Sequence, residues 1–269
     1  MPDILLIQPP IRDFYLTAKR TIPYGLACIA PALIKSGFSV KILDALATSK
    51  SRTCDLPPEM DYLRKYYGRP DNSAFALFHQ FRHFGYSFEH IGKMAKESGA
   101  FLVGISSLFT PYMQETLQTA ETVKACHPEC KIVIGGHHPS ALPQSVMECA
   151  AVDFVIRGEG EVSLHLLAKA VSQGGAYHSI PGIVFRRKNG AIHINPPARM
   201  KHPDDHPLPA ADLLNHRFYR RKKRGAMVIV AGRGCPMTCS YCSVGAPSYL
   251  NYRKRSVDSV MADRVHSWL

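Results

Sequence analysis

Between residues 3 and 186 the sequence alternates short β-branched runs with amphipathic stretches, which is the pattern of parallel βαβ units. The runs predict strands at 4–8, 40–44, 101–107, 131–135 and 153–157, and the stretches predict helices at 25–37, 112–125, 144–149 and 161–172. We therefore expect an α/β fold with a doubly wound parallel sheet of the flavodoxin-like or Rossmann-like type. Such sheets bind ligands at the carboxyl ends of their strands.

Residues 47–99 interrupt this pattern with proline-containing turns and an aromatic, His-rich stretch. We interpret them as a helical subdomain inserted between the second and third strands. His79 and His83 are four residues apart, so on one helix they would share a face and could ligate a metal. A helix that packs its Phe residues, with His at the rim, is the favoured interpretation because no carboxylate or Cys completes a site.

Residues 1–186 are thus predicted to form one α/β domain with this insert. A hairpin is expected from 182–187 with 191–195, and a Pro- and His-rich, then basic, linker completes the segment 187–225. The apolar run 226–231 predicts a fresh strand that opens a further segment, 226–269, and apolar residues at helical spacing predict a helix at 256–269.

Charge and hydropathy restrict the partners of the chain. Its 33 Lys and Arg residues exceed its 21 Asp and Glu residues, and the net charge of +12 favours anionic ligands. Six of the basic residues lie close together: Arg217, Arg220, Arg221, Lys222, Lys223 and Arg224. No RNA-binding signature accompanies them, so we interpret them as a solvated linker and expect no nucleic-acid partner. No apolar run approaches the ~18 residues of a membrane span, and no signal peptide is recognisable. We expect a cytoplasmic protein with no membrane partner.

The chain has eight cysteines, which should be reduced in the cytoplasm, so metal binding and catalysis are the roles to consider. Five are scattered and are interpreted as structural: Cys28, Cys54, Cys126, Cys130 and Cys149. Cys235, Cys239 and Cys242 instead share one glycine-flanked loop after the predicted strand. Three thiolates leave one iron of an iron–sulfur cluster open, whereas structural zinc normally takes four ligands.

This Cys-x-x-x-Cys-x-aromatic-Cys loop resembles the signature of the radical S-adenosylmethionine (radical SAM) superfamily. The resemblance implies that Cys235, Cys239 and Cys242 hold a [4Fe-4S] cluster, that its fourth iron binds S-adenosylmethionine, and that Tyr241 lies near the adenine. It also implies reductive cleavage of S-adenosylmethionine to a 5'-deoxyadenosyl radical, and hence a one-electron donor protein as partner. A zinc knuckle completed by His266 is the alternative.

The predicted strand ends carry small or polar residues, and upstream of such a loop they resemble the cobalamin-binding domain of class B radical SAM proteins. Tyr24 to Ala27 and Arg157 to Glu161 share in this resemblance. It implies that cobalamin contacts a set of strand-end residues: Ser106, Ser107, Gly135, Gly136, His137, Gly158, Glu159 and Gly160. The loop 8–14 has no His, so cobalt is expected to lack the lower His ligand of many cobalamin proteins. His137 and His138 are interpreted as pocket lining.

Residues 226–269 suffice for only the first βα unit of a radical SAM, TIM-like barrel, because a whole barrel needs ~250 residues. We therefore expect the N-terminal portion of a cobalamin-dependent radical SAM enzyme acting on a small-molecule or other substrate, with methyl transfer to an unactivated carbon as one reaction. No catalytic residue is predicted, and whether this chain alone is an enzyme stays open. A non-catalytic cobalamin-binding fragment is one alternative. A radical SAM tRNA methylthiotransferase, which needs three further cluster cysteines, is another.

Overall fold

A computed structural model describes residues 1–15, 22–67, 80–205, 207–219, 228–237, 239–240 and 252–266, with side chains as far as residue 263. Its strands are β1 (Ile4–Gln8), β2 (Ile11–Asp13), β3 (Val40–Asp44), β4 (Ser51–Thr53), β5 (Arg82–Phe84), β6 (Leu102–Ser106), β7 (Lys131–Gly135), β8 (Phe154–Ile156), β9 (Ile183–Arg186), β10 (Ile192–Ile194), β11 (Gly232–Arg233) and β12 (Arg253–Lys254). Its helices are α1 (Tyr24–Lys35), α2 (Arg64–Tyr67), α3 (Phe88–Ser98), α4 (Met113–Cys126), α5 (His137–Ala141), α6 (Pro143–Met147), α7 (Gly160–Gln173) and α8 (Val257–His266). In these ranges no helix is both long and apolar enough to cross a membrane.

The main sheet has seven strands in the order β3-β1-β6-β7-β8-β9-β10. The first five are parallel, while β9 and β10 add an antiparallel hairpin at one edge. Taken along the chain, the parallel strands follow the 2-1-3-4-5 order of flavodoxin-like sheets, whose topological switch point lies between β1 and β6. The predicted fold class of the α/β domain is therefore confirmed.

Apolar layers cover both faces of this sheet. Leu5 and Ile7 of β1 face one layer, which includes Ile91 of α3, while Ile4 and Leu6 face the other, which includes helices α1 and α7. Because β1 is buried on both faces, its sequence is a continuous apolar run rather than an alternating one. Strand β1 is thus an interior strand, paired with β3 on one side and β6 on the other.

The insert at 47–99 differs in part from the helical subdomain that was predicted. Its described residues include strands β4 and β5, which join β2 in a small antiparallel sheet of order β2-β5-β4. Helix α3, at the end of the insert, belongs to the main fold because it packs against α4 and one face of the sheet. The aromatic residues of the insert have helical spacing, but hydrogen bonding of β5 to a strand on each side stabilises the extended conformation instead.

The predicted His79–His83 pair on one helix is not found. His83 lies in strand β5, and its Nε2 is 2.9 Å from the carbonyl oxygen of Tyr86. His79 lies outside the described residues. His83 is buried, and burial is the main reason why its pKa falls below the ordinary value. It therefore has the environment of a neutral core histidine.

The C-terminal segment also corrects a prediction. Residues 228–231, which lie in the strand expected at 226–231, are not in a strand, and residues 226 and 227 lie outside the described ranges. The strand that does form is β11, which pairs antiparallel with β12. The helix predicted at 256–269 is found as α8.

The linker after β10 is packed along the carboxyl edge of the sheet. Arg157 and Glu159 exchange backbone hydrogen bonds with Ala198, each of 3.0 Å. Further along, the Ala210 amide donates to the Ala27 carbonyl, and the Tyr219 hydroxyl donates to Asp44 at the end of β3. Of the basic run, residues 220–224 lie outside the described ranges. The linker thus returns to the edge where ligands bind in folds of this type.

Candidate functional site

A cavity of about 470 Å³ lies at the carboxyl edge of strands β1, β6, β7 and β8. Apolar side chains of these strands line its inner part: Leu6, Ile105, Val133 and Ile156. Tyr24 and Ile29 of α1 form one wall. The cavity spans the switch point between β1 and β6, which is where the 2-1-3-4-5 strand order leaves a crevice.

Seven of the eight residues predicted to contact cobalamin line this cavity: Ser106, Gly135, Gly136, His137, Gly158, Glu159 and Gly160. Ser107, the eighth, is buried and is not among the lining residues. The lining also includes residues that were not predicted to contact cobalamin, among them Ser140, Val230 and Arg233. The site residues come together as the strand-end pattern predicted, but whether they contact a cofactor stays a prediction.

Gly136 and Gly158 permit a close approach of neighbouring backbones. Gly136 has φ +129°, and a Cβ there would lie 2.2 Å from the Ser107 carbonyl oxygen. Gly158 has φ +82°, and a Cβ there would lie 2.2 Å from the Ala198 carbonyl oxygen. Only glycine combines these backbone angles with such contacts. Gly136 therefore lets the loop after β6 pack closely beside the cavity, and Gly158 does the same for the linker.

Gly135 and Gly25 line the cavity for a different reason. A Cβ at Gly135 would have Ile156 O, at 3.8 Å, as its nearest neighbour, and at Gly25 it would meet no described atom within 4 Å. Neither glycine is required by its protein neighbours. Their missing side chains instead leave open space inside the cavity, which a bulky ligand could fill.

Two buried polar atoms near the cavity have no hydrogen-bond partner among the described residues. They are Oγ of Ser107 and Nε2 of His138, and each residue is only 3% exposed. His138 Nδ1 lies 3.1 Å from Oγ1 of Thr110, and burial lowers the pKa of His138 below its ordinary value. An unmet buried polar group costs about 1–3 kcal/mol. These atoms therefore favour a water molecule or a polar ligand group as partner.

A group of four charged residues adjoins the cavity, and its two carboxylates are buried while Arg233 is 27% exposed. Arg253 donates from Nη2 to Oε1 of Glu159 at 2.8 Å and from Nη1 to Oε2 at 3.0 Å. Arg233 donates from Nη2 to Oε1 of Glu161 at 2.5 Å. Its Nη1 lies 3.6 Å from Oε1 of Glu159. We call these four residues the Glu–Arg cluster.

The hydrogen bonds and ion pairs of the Glu–Arg cluster shift the pKa values of Glu159 and Arg233. Burial opposes the charge of Glu159, but the hydrogen bonds from Arg253 and from the Met200 amide outweigh it and hold the pKa of Glu159 below its ordinary value. Burial likewise opposes the charge of Arg233, and the adjacent Glu161 carboxylate raises the pKa of Arg233 above its ordinary value. Both shifts favour the charged form of the group concerned, a carboxylate at Glu159 and a guanidinium at Arg233.

The cysteine loop joins β11 to β12. Cys235 and Cys239 are half-buried on this loop, whereas Cys242 and Tyr241 lie outside the described residues. Within the described part of the chain, no three His, Cys, Asp or Glu residues are grouped to hold a metal ion. Val230, Arg233 and Gly234, which lead into the loop, line the cavity. The predicted cluster ligands thus begin, along the chain, directly after residues that line the cavity.

The remaining cysteines give no second cluster site. All seven described cysteines are free thiols, and the five scattered ones form no metal-binding group in the described structure. Burial raises the pKa of Cys28 to about 12 and the pKa of Cys130 to about 11, which makes both thiols poor nucleophiles. The three additional cluster cysteines of a methylthiotransferase are therefore not assembled among these residues.

Comparison with known proteins assigns a domain to this region. Residues 76–168 match the model of the B12 binding domain family. That range contains β6, β7 and β8 and most of the residues lining the cavity. The sequence-based resemblance to a cobalamin-binding domain is confirmed.

Two curated relatives extend over nearly the whole chain. An uncharacterized methyltransferase of Pyrococcus horikoshii is 28% identical over 97% of this chain and 49% of its own length. The hopanoid C-3 methylase of Methylococcus capsulatus is 27% identical over 91% of this chain and 40% of its own length. The chain thus spans half or less of the length of these relatives.

A solved structure shows the same fold. The radical S-adenosylmethionine methyltransferase TsrM of Kitasatospora setae, with cobalamin and a [4Fe-4S] cluster bound, superposes with a TM-score of 0.63 at 18% identity. The match covers 98% of this chain and 45% of TsrM. The fold similarity therefore includes the described C-terminal segment as well as the α/β domain.

Proposed function

We propose, from the match to the B12 binding domain family and the similarity of this chain to radical SAM methyltransferases, that its carboxyl-edge cavity binds cobalamin and that its cysteine loop holds a [4Fe-4S] cluster. The observation that carries the proposal is the cavity itself, in which predicted cobalamin residues meet the lead-in to the cysteine loop. The names of the relatives, both methyltransferases, support methyl transfer as the reaction. Carbon as the methyl acceptor is part of the proposal.

The residues of the cavity fit a corrinoid in three respects. Gly135 and Gly25 leave space that no protein neighbour requires. Ser106 and His137 contribute polar side chains to the lining, and the strands contribute apolar ones. The volume of about 470 Å³ lies within the ~300–1,000 Å³ of small-molecule sites. A whole cobalamin is larger than this cavity. We therefore propose that the cavity holds one part of the cobalamin molecule.

The cysteine loop has the donor set for an iron–sulfur cluster, since its three thiols can act as thiolate ligands. When bound, the cluster would supply one electron to S-adenosylmethionine and cobalamin would supply a methyl-carrying cobalt. Cys235, Cys239 and Cys242 would hold the cluster, and Tyr241 would lie near the adenine. A one-electron donor protein and a small-molecule methyl acceptor complete the proposed set of partners.

Removing the loop thiols tests the cluster assignment. We expect the triple variant Cys235→Ala, Cys239→Ala, Cys242→Ala to lose its iron after anaerobic reconstitution, because three thiolates of one loop are its ligands. Hydroxocobalamin binding should persist, since the cavity is lined by other residues. Iron analysis, Mössbauer spectra and visible absorbance measure these results.

Cys149→Ala is the matched control, because this half-buried free thiol lies outside the loop. It should keep both iron and corrinoid. A native protein that takes up zinc alone, or a triple variant with unchanged iron, would contradict the cluster assignment.

Gly135→Ala tests the cavity assignment without disturbing the fold. A methyl group at this position meets its nearest protein atom at 3.8 Å, so we expect the free energy of unfolding to change by less than ~0.5 kcal/mol. Corrinoid affinity should fall by about tenfold, because the methyl group occupies ligand space. Urea unfolding and hydroxocobalamin titration measure the two effects. Unchanged affinity would place the corrinoid elsewhere.

A cobalamin-binding fragment without catalysis is the second candidate. Among the described residues, the cavity lining contains no cysteine, so corrinoid binding there does not require the loop thiols. It predicts corrinoid binding with no 5'-deoxyadenosine formed from S-adenosylmethionine and dithionite. Formation of 5'-deoxyadenosine by the reconstituted chain would instead favour the enzyme.

A further inference from the structure

The two ends of the cysteine loop meet in a pair of facing arginines. Strands β11 and β12 are antiparallel, and Arg233 lies directly opposite Arg253 in their register. Like charges at directly opposed positions of an antiparallel pair are destabilising. This two-stranded sheet therefore needs anions to hold its register.

Two carboxylates of a single turn supply these anions. Oε1 of Glu159 lies 2.8 Å from Nη2 of Arg253 and 3.6 Å from Nη1 of Arg233. Glu161 binds the other guanidinium nitrogen of Arg233. The charges thus alternate along the Glu–Arg cluster as Glu161, Arg233, Glu159 and Arg253. Both ends of the loop are attached to the same short segment of the α/β domain.

That turn also forms part of the cavity wall. Gly158, Glu159, Gly160 and Glu161 all line the cavity, as does Arg233. The Met200 amide donates to Oε2 of Glu159 at 2.6 Å, which fixes the carboxylate from the linker side. The same residues therefore contact both the cavity and the base of the cysteine loop.

We propose that Glu159 and Glu161 are positioning residues, which clamp both ends of the loop 234–252 and thereby set the position of the cysteines relative to the cavity. This inference rests on the proposed function only in that the loop carries the cluster. Buried ion pairs contribute little net stability compared with apolar residues, but they can specify one arrangement. Alternating charges with bidentate geometry give such specificity, because a shift of either strand would break two contacts.

The test compares Glu159→Gln with a closely matched control, Asp153→Asn. Asp153 also binds two cations, Lys124 and Lys131, and also accepts a backbone amide, that of Ile132. It precedes β8 at the amino edge of the sheet, opposite the cavity. Each substitution removes one bridging carboxylate charge and keeps the side-chain size.

The first measurement is hydrogen–deuterium exchange of the full chain without cofactors. We expect Glu159→Gln to speed exchange in peptides covering 228–237 and 252–256 by at least tenfold, while Asp153→Asn leaves those peptides unchanged. The Arg255 amide, which donates to the Ala231 carbonyl at 2.9 Å, reports on the β11–β12 base. Equal exchange in the wild type and Glu159→Gln would overturn the proposal.

The second measurement is the electron paramagnetic resonance spectrum of the reduced protein loaded with cob(II)alamin and the cluster. We expect the magnetic interaction between the two centres to become weaker and more heterogeneous in Glu159→Gln but not in Asp153→Asn. A loaded variant with a native spectrum would overturn the proposal. A wild type that loads neither centre would refute the proposed function instead, and the exchange experiment would still decide the clamp.

Arg233→Lys guards against a folding failure of the glutamine variant. Lysine keeps the charge but lacks the fork that reaches both Glu161 and Glu159. It should give exchange rates between those of the wild type and Glu159→Gln in the same two peptides. Native rates in Arg233→Lys would show that the two-carboxylate fork is not needed, and would contradict the clamp.

Discussion

Gly136→Ala is expected to abolish corrinoid binding and to lower the free energy of unfolding by about 3 kcal/mol. The residue has φ +129°, in a region that side-chain-bearing residues rarely adopt, and a Cβ would lie 2.2 Å from the Ser107 carbonyl oxygen. Relief of this contact must move the loop after β6 or the start of α5, and both border the cavity. Urea unfolding and hydroxocobalamin titration of the same sample measure the two losses.

Gly174→Ala provides the control for this prediction. Gly174 has a positive φ of +66°, but a Cβ there meets no described atom within 4 Å. It caps the carboxyl end of helix α7, whereas the cavity is lined by residues at the amino end of that helix. The backbone penalty alone should cost about 1 kcal/mol and leave corrinoid binding unchanged. If Gly136→Ala behaves like Gly174→Ala, the close approach at Ser107 does not shape the site.

The main sheet could be predicted from local sequence, because each of its strands is encoded by its own residues. The run Ile4–Gln8 is apolar through four positions that are all buried, and it was predicted with its observed bounds. The strand order could not be read in the same way, since pairing of β1 with both β3 and β6 joins residues far apart in the chain. For the strand order, the sequence offered only a general rule, which is that βαβ units usually form doubly wound sheets.

The short strands show where local patterns are insufficient. β5 has three residues and is held by neighbours on both edges, one of them, β2, from outside the insert, between β1 and α1 in the chain. β11 has two residues and exists as a strand only through its pairing with β12. Elements this short receive most of their stability from tertiary partners, so the spacing of aromatic or apolar residues predicts them poorly.

The candidate site divides in the same way. Gly135 ends β7, Gly136 follows it directly, and Gly158 lies two residues after the end of β8, so their position in the fold could be inferred from the strand pattern. Arg253, in contrast, binds a carboxylate 94 residues earlier in the chain. The excess of positive charge indicated anionic partners, and two of these cations are in fact matched to carboxylates inside the protein. The net charge alone could not show whether an arginine binds a carboxylate of the same protein or an anionic ligand.

Arg253→Met is expected to lower the free energy of unfolding by about 3–5 kcal/mol at neutral pH, because it leaves a buried carboxylate without its bidentate partner. The side chains of Arg253 and Glu159 are only 9% and 8% exposed. Arg253 also donates to the Met200 carbonyl at 2.7 Å, and that acceptor would lose its partner as well. Arg233, at 3.6 Å, remains the only cation of the Glu–Arg cluster near Glu159.

The pH dependence of this loss follows from the pKa of Glu159. In the native protein that pKa is lowered, so the stability contributed by Glu159 is present above its unfolded pKa and is lost as pH falls through the folded value. Without Arg253, burial acts with less opposition and raises the pKa of Glu159, so the variant is penalised when the carboxylate is charged. The difference between native protein and variant should therefore be largest near pH 7 and should shrink towards pH 4. Urea unfolding at both pH values measures it.

The exposed pair of Arg64 and Asp61 separates the effect of burial from the loss of an ion pair. Their side chains are 60% and 56% exposed, and Arg64 Nε lies 2.8 Å from Asp61 Oδ1. Solvent screens such a pair, so Arg64→Met should cost less than ~1 kcal/mol and depend little on pH. If the two variants lose similar stability, then solvent reaches Glu159 and the Glu–Arg cluster is not the rigid base that the cysteine loop requires.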